Sequence, residues 1–154
     1  MVEGGIVTSY LRDSVEIVQH RDAVFVDPGK TLRAVAHTMW IVNVGALVVG
    51  TERQPLGVIS ERDIVSRIAQ GANLDIVTAA EAMSTHLSAV RVGDTLDDAA
   101  YQMLEGAIRH LPVMDDEGCV VSMLSIRDLL RPLLSTRPER VESGRTLGAV
   151  TEWS

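Results

Sequence analysis

The feature that most constrains this 154-residue sequence is an internal repeat. Residues 27–39 (DPGKTLRAVAHTM) align with residues 91–103 (RVGDTLDDAAYQM) at an offset of 64 positions. Residues 57–65 (GVISERDIV) align with residues 122–130 (SMLSIRDLL) at an offset of 65, because the loop before them is one residue longer in the second copy. A register that persists across a single loop insertion indicates two copies of one unit.

Hydrophobic periodicity predicts the order β-α-β-β-α for each copy, which is an α+β fold. Apolar residues recur at i, i+3, i+4 and i+7 from Leu32 and from Leu96, and Thr31 and Thr95 are expected to cap these helices. The expected strands cover residues 23–26, 46–50, 56–59, 88–92, 110–114 and 119–124. Short lead helices are expected at residues 15–18 and 79–83.

A second helix is expected to close each copy, beginning at Ser60 and at Ser125. The side chains expected to be buried by these helices are Ile64, Val65, Ile68, Leu129, Leu130 and Leu133. One copy alone would leave a sheet face open, so the tandem repeats should pack sheet to sheet. The predicted boundaries are an extension (1–12), the first repeat (13–71), a linker (72–76), the second repeat (77–134) and a tail (135–154).

The motif Ser-x-Arg-Asp follows a predicted strand in both copies, as SERD (60–63) and SIRD (125–128). One interpretation is a capping box, in which the Ser and Asp side chains bond to backbone N–H groups at the helix start. Capping boxes usually have Glu or Gln at the last position, and that preference favours a second interpretation. A helix start at a strand end offers free N–H groups to phosphate, and the Asp would accept hydrogen bonds from ribose hydroxyls. The second interpretation predicts a nucleotide site.

With these motifs in tandem, the sequence resembles the paired cystathionine-β-synthase-type (CBS) domain family, over residues 15–134. The residues that carry the resemblance are GALVV and GVISERD in the first copy, RHLPVMDDEG and SMLSIRD in the second, and the aligned helices before them. The resemblance implies a pair with pseudo-twofold symmetry, a Bateman module. It further implies clefts between the repeats that bind AMP, ADP, ATP or S-adenosylmethionine, and association into a homodimer.

The resemblance also assigns roles to individual residues. Ser60 and Ser125 would contact phosphate, Asp63 and Asp128 would hold the ribose hydroxyls, and Arg62 and Arg127 complete the two motifs. The strand backbones around Ala46, Leu47, His110, Leu111 and Pro112 would line the adenine, and residues of the first strands would complete its walls, namely Ala23, Val24, Ser88 and Ala89. Arg109 is a phosphate candidate for which the first copy has only Gly45. Ser122 stands where the first copy has Gly57, and its side chain opposes a close approach of another backbone at that position.

Charge and cysteine content limit the classes of function. The chain has 14 basic and 21 acidic residues, a net charge of −7, so we expect no nucleic-acid partner. One cysteine excludes an internal disulfide and favours a cytoplasmic protein, and no apolar run is long enough for a membrane span. No catalytic motif or metal-ligand spacing is visible, so we expect no enzyme, no metal and no required cofactor.

The sequence therefore predicts a regulatory module that senses an adenosine-containing ligand. The alternative is a module that dimerises, or docks on an unidentified protein target, with its clefts empty. An enzyme acting on nucleotides is a weaker alternative, because no general base is apparent.

Overall fold

The computed structural model describes residues 9–18 and 20–135. The predicted extension and tail therefore lie largely outside the described residues, as does the predicted burial of Leu133. Within the described part, each repeat forms two longer helices and contributes three short strands to its own sheet, and the first repeat adds a fourth strand to the sheet of the second, which confirms the α+β prediction.

The strands form two sheets, one for each repeat. The first contains β2 (Phe25–Val26), β3 (Ala46–Gly50) and β4 (Pro55–Ser60), in that order. The second has the order β1-β7-β6-β5 and contains β1 (Arg21–Asp22), β5 (Val90–Arg91), β6 (His110–Met114) and β7 (Val120–Ser125). In both sheets the first strand of the repeat is parallel to its neighbour and the following hairpin is antiparallel.

The helices begin where the periodicity predicts. They are α1 (Leu32–Val42), α2 (Glu61–Ala69), α3 (Ala79–Ala82), α4 (Leu96–Glu105) and α5 (Ile126–Ser135), and a 3-10 turn covers Val15–Ile17. Thr31 caps α1 by accepting from the Ala34 N–H, and Thr95 caps α4 by accepting from the Asp98 N–H. Both predicted N-caps are confirmed.

The repeats pack sheet to sheet, as predicted. Ala46 and Val48 of β3 lie in one apolar cluster with Val120 and Met123 of β7. Neighbouring residues of a strand point to opposite faces, so Leu47 and Val49 lie instead in the core between the first sheet and its helices. Each sheet is therefore covered by helices on one face and by the other sheet on the other.

The first segment of each repeat packs on the opposite repeat. Val15 lies in the core of the second repeat with Leu96 and Leu111. Conversely, Ala79 and Ala82 of α3 lie in the core of the first repeat. β1 pairs antiparallel with β7, and Ser84 forms a bridge with Val58 of β4. This exchange joins the repeats through backbone hydrogen bonds as well as apolar contacts.

The prediction of which side chains the second helices bury is only partly right. Ile64 and Leu129 are buried, but Val65 is 63% exposed, Ile68 54% and Leu130 49%. α2 and α5 each turn a single face to their sheet, and the next apolar residue along each helix lies outside that face. Val65 and Leu130 occupy equivalent positions, so both repeats present apolar side chains at the same place on their surface.

Candidate functional site

Two cavities lie between the repeats. The first cleft, of about 370 Å³, is lined by the start of α2 (60–63), the turn before β6 (106–110), and Ser84, His86 and Ser88 ahead of β5. The helix start comes from the first repeat, and the other two segments come from the second. The site is therefore composite, and neither repeat can form it alone.

The second cleft is the counterpart of the first, with a cavity of about 300 Å³. It is lined by the start of α5 (125–128), the turn before β3 (43–46), and Arg21, Asp22 and Val24. Here the helix start belongs to the second repeat and the turn to the first. Both clefts thus place a Ser-x-Arg-Asp motif opposite a turn of the other repeat.

The structure brings most of the predicted site residues into these clefts. Those lining the first cleft are Ser60, Arg62, Asp63, Ala46, Ser88, Arg109 and His110. Those lining the second cleft are Ser125, Arg127, Asp128, Ala46, Val24, Arg109 and His110.

Five predicted residues line neither cleft: Ala23, Leu47, Ala89, Leu111 and Pro112. Leu47 and Leu111 are fully buried in the cores beneath the helices, because strand alternation turns them away from Ala46 and His110. Pro112 is buried opposite Met123, and Ala23 packs against the layer between the sheets. The side chains of these five residues therefore do not line the cavities, and the backbone role given to Leu47, Leu111 and Pro112 stays a prediction.

Both Ser-x-Arg-Asp motifs form capping boxes. The Ser60 N–H and hydroxyl both donate to Asp63 Oδ2, each at 2.7 Å. In the second motif, the Ser125 N–H and hydroxyl donate to Asp128 Oδ2 at 2.8 and 2.6 Å. The argument that Asp disfavours a capping box is therefore wrong. The shorter Asp side chain closes the box in both motifs.

The first N–H group of each of the two helices is also engaged. The Glu61 N–H donates to the Gly45 carbonyl at 3.0 Å, and the Ile126 N–H donates to the Arg109 carbonyl at 2.9 Å. These two N–H groups are therefore not available to a phosphate, and phosphate binding at the helix starts stays a prediction.

Arginine side chains donate to backbone carbonyls beside both clefts, and the bond beside the first cleft joins the two repeats. Arg62 Nη1 donates to the Ala107 carbonyl at 2.7 Å, and Arg21 Nη1 donates to the Asn43 carbonyl at 2.6 Å. Asn43 and Ala107 are repeat counterparts, and both have a left-handed backbone, with φ of 54° and 48°. The acceptors are thus equivalent, but the donors come from different elements. Arg127, the counterpart of Arg62, does not make the second bond.

His110 lies between the clefts and lines both of them. Its ring fits against Gly45, where an added Cβ would lie 3.0 Å from His110 Cε1. Burial lowers the pKa of His110 and Arg109 lowers it further, whereas Glu61 and Asp128 act in the opposite direction. Packing against Gly45 and the predicted ligand contact are therefore compatible in one side chain.

A proline removes from the second repeat one backbone hydrogen bond that the first repeat has beside its first strand. In the first repeat the Val48 N–H donates to the Val24 carbonyl at 2.9 Å. The counterparts in the second repeat are Pro112 and Ser88, and proline has no N–H to donate. The Ser88 carbonyl therefore lacks the partner that the Val24 carbonyl has.

Sequence reasoning missed several residues that line the clefts: Arg21, Asn43, Glu61, His86 and Arg131. Arg131 carried a usable signal, because it follows Arg127 by four residues and so shares its helix face. Arg21 carried none, since the exchange of β1 between the sheets places it.

No cluster of three or more His, Cys, Asp or Glu side chains is arranged to hold a metal ion in the part of the chain that the structure describes. Nor does that part contain a helix of the length and apolarity required to cross a membrane.

Comparison with known proteins adds independent findings. A sequence model of the CBS domain matches the chain twice, at residues 15–70 and 79–135. An uncharacterized protein of Methanopyrus kandleri is 32% identical over 120 residues, which cover 77% of this chain and 61% of that protein. An uncharacterized 17.7 kDa protein of Acidianus ambivalens is 36% identical over 111 residues, which cover 71% of this chain and 66% of that protein. The chain thus spans slightly less than two thirds of both relatives.

A solved structure gives the same result at the level of the fold. The CBS domain protein of Pyrobaculum aerophilum, complexed with AMP, matches with a TM-score of 0.71 at 30% sequence identity. The match covers 80% of this chain and 99% of that one.

Proposed function

The chain belongs to the CBS domain family and carries that domain twice, and from this premise we propose that it is a regulatory module. Its ligand is an adenosine-containing molecule (AMP, ADP, ATP or S-adenosylmethionine), bound in the clefts between the repeats. The protein acts as a sensor rather than as an enzyme, and it requires no cofactor. It acts in the cytoplasm, without nucleic acid or membrane, on an unidentified protein target.

The observation that carries this proposal is the composite construction of the clefts. Each combines a helix start from one repeat with a turn from the other, in a cavity of about 370 or 300 Å³. Cavities of this size are at the lower end of the range for small-molecule sites, roughly 300–1,000 Å³. The AMP complex of the relative that is 30% identical supports the choice of ligand class.

The geometry supports the ribose role proposed for Asp63 and Asp128. In both carboxylates the capping hydrogen bonds end on Oδ2. Oδ1 remains for ribose hydroxyls, and hydrogen bonds to a charged group contribute about 1.5–3 kcal/mol each. The phosphate role of Ser60 and Ser125 is harder to fulfil, because each hydroxyl proton is directed at its Asp. Guanidinium groups are the readier phosphate donors.

A ligand that bridges both repeats can regulate by changing their relative arrangement. It favours whichever arrangement it binds more tightly, and it shifts the equilibrium only by that difference in affinity. The hydrogen bond from Arg62 to the Ala107 carbonyl joins the two repeats and lies in the first cleft. A ligand in that cleft would therefore lie beside a bond that holds the repeats in their relative arrangement.

We also propose that the protein is a homodimer. Trp40 on α1 and its counterpart Leu104 on α4 are 83% and 77% exposed, and Val65 and Leu130 are exposed on the neighbouring helices. Apolar side chains repeated at equivalent positions suit contact with a second copy. Sedimentation equilibrium should give a dimer, and Trp40→Glu should shift it toward monomer. A monomeric wild-type chain would contradict this proposal.

A thermal-shift panel tests the ligand class. Purified protein is heated with AMP, ADP, ATP or S-adenosylmethionine, with CMP as the comparison. A ligand at 100 times its Kd adds about 2.7 kcal/mol to the free energy of unfolding. That should raise Tm by about 5–10 °C for a domain of this size. No shift with any adenosine compound would overturn the proposal.

One observation favours the alternative, a dimerisation or protein-interaction module with empty clefts. The capping boxes satisfy both Ser-x-Arg-Asp motifs without a ligand. The same panel separates the two functions, because an interaction module would keep one Tm throughout.

A further inference from the structure

The two clefts differ in their positive charge. The second cleft is lined by four arginines, Arg21, Arg109, Arg127 and Arg131, and by three carboxylates. The first is lined by Arg62 and Arg109 and by two carboxylates. In a chain with a net charge of −7, four guanidinium groups at one small cavity are a marked local concentration.

The difference arises from substitutions between the repeats. Arg131 corresponds to Ser66, which lines neither cleft, and Arg21 corresponds to Thr85. Arg127 and Arg131 are four residues apart on α5, so both extend from the helix face beside the cavity. The first cleft has no such pair.

The arginines of the second cleft are also less engaged. In the first cleft the arginine of the motif, Arg62, is bonded to the Ala107 carbonyl. In the second cleft the equivalent carbonyl, that of Asn43, accepts from Arg21 of its own repeat, so Arg127 is not bonded to it. Among the described residues the one ion pair joins Arg33 to Asp75, so neither Arg127 nor Arg131 is paired with a carboxylate there.

The acidic residues of the second cleft do not cancel this charge. Asp128 is buried and accepts the hydrogen bonds of the capping box. Asp22 and Glu61 are exposed at the rim. Guanidinium groups bind phosphate in bidentate geometry, so exposed and unpaired arginines at one cavity suit a ligand with several phosphate oxygens.

We propose that the second cleft is the polyphosphate site, which takes the phosphate chain of a nucleoside diphosphate or triphosphate. The first cleft takes an adenosine ligand with one phosphate or none. This inference rests on the proposed function, because it divides the same ligand class between the two clefts.

Calorimetric titration tests the proposal. ATP, AMP and inorganic triphosphate are titrated in EDTA into the wild type and into Arg127→Ala/Arg131→Ser. Losing two charge-assisted contacts should weaken ATP and triphosphate about tenfold or more, and AMP less than about threefold. Arg53→Ser is the control, because it removes one positive charge on the exposed β3–β4 hairpin, away from both clefts.

The outcomes separate this inference from the proposed function. If ATP weakens no more in the double variant than in Arg53→Ser, or if AMP weakens as much as ATP, the polyphosphate site is wrong while adenosine binding stands. If neither nucleotide binds the wild type but triphosphate binds and needs Arg127 and Arg131, the site is right and the adenosine function is wrong. If none of the three binds the wild type, both fail.

Discussion

Arg62 Nη1 donates a hydrogen bond of 2.7 Å to the carbonyl of Ala107, 45 residues further along the chain. The bond joins the start of α2 in the first repeat to the turn before β6 in the second. Ala107, which supplies the acceptor carbonyl, has a φ of 48°, and such a positive φ is uncommon for a residue other than glycine.

This bond predicts unequal effects for two equivalent arginines. Arg62→Ala should lower the free energy of unfolding by about 0.5–1.5 kcal/mol, because it removes a hydrogen bond between the repeats. Arg127→Ala is the matched control and should change stability by less than about 0.5 kcal/mol, as an exposed side chain outside any such bond. Urea unfolding measures both. Equal losses would show that the cross-repeat bond contributes nothing.

The capping boxes predict that Asp63 stabilises the fold independently of any ligand. Asp63→Ala removes the acceptor for the Ser60 N–H and hydroxyl and should cost about 1 kcal/mol. The control is Asp98→Ala, because Asp98 closes the same kind of box with Thr95 outside both clefts. Thermal unfolding without ligand should give similar losses. An unchanged Tm for Asp63→Ala alone would contradict this role.

We expect the free energy of unfolding to depend on pH because of His110. Burial, and then Arg109, lower the pKa of His110 in the folded chain, whereas the unfolded value is about 6.5. The stability that the neutral ring contributes is therefore complete above pH 6.5 and declines as the pH falls through the lowered folded pKa.

Unfolding free energies at pH 7.5 and 5.5 test this dependence. The wild type should lose more stability on acidification than His110→Gln does. His37→Gln, a variant of an exposed histidine on α1, should behave like the wild type. If His110→Gln and the wild type lose the same amount, His110 is not the group responsible.

Gly57 and Ser122 are repeat counterparts, and we expect substitution by alanine to change the stability of the fold differently at the two positions. A Cβ at Gly57 would lie 2.3 Å from the Ser84 carbonyl oxygen, so Gly57→Ala should destabilise the fold by about 1–3 kcal/mol. Ser122 is buried, and its Oγ has no hydrogen-bond partner among the described residues. Ser122→Ala should be neutral or stabilising by about 1 kcal/mol. Urea midpoints give both values, and a loss in Ser122→Ala would indicate an unrecognised partner.

The sequence predicts the elements of this fold well because each is set by local patterns. The apolar spacing from Leu32 and Leu96 and the caps at Thr31 and Thr95 all act within a few residues. The exchange of Val15 and Ala79 between the repeats is not local. Periodicity shows that a segment has an apolar face, but it does not show which core receives it.

The same distinction holds for the candidate site. The Ser-x-Arg-Asp motifs were visible in the sequence, and the structure brings both into clefts. Strand alternation, which is visible in the sequence, indicates that the side chains of Leu47 and Leu111 point away from those of Ala46 and His110. The sequence does not predict the hydrogen bond between Arg21 and the Asn43 carbonyl, because that bond depends on β1 joining the sheet of the other repeat.

The central claim is that the clefts between the repeats bind an adenosine ligand through Asp63 and Asp128. It is tested most directly by calorimetric titration of the wild type, Asp63→Ala/Asp128→Ala and Asp98→Ala with the adenosine compound that gives the largest thermal shift. The account predicts binding to the wild type and to Asp98→Ala with the same affinity, and a loss of about tenfold or more in the double variant. Unchanged affinity in a folded double variant would contradict it.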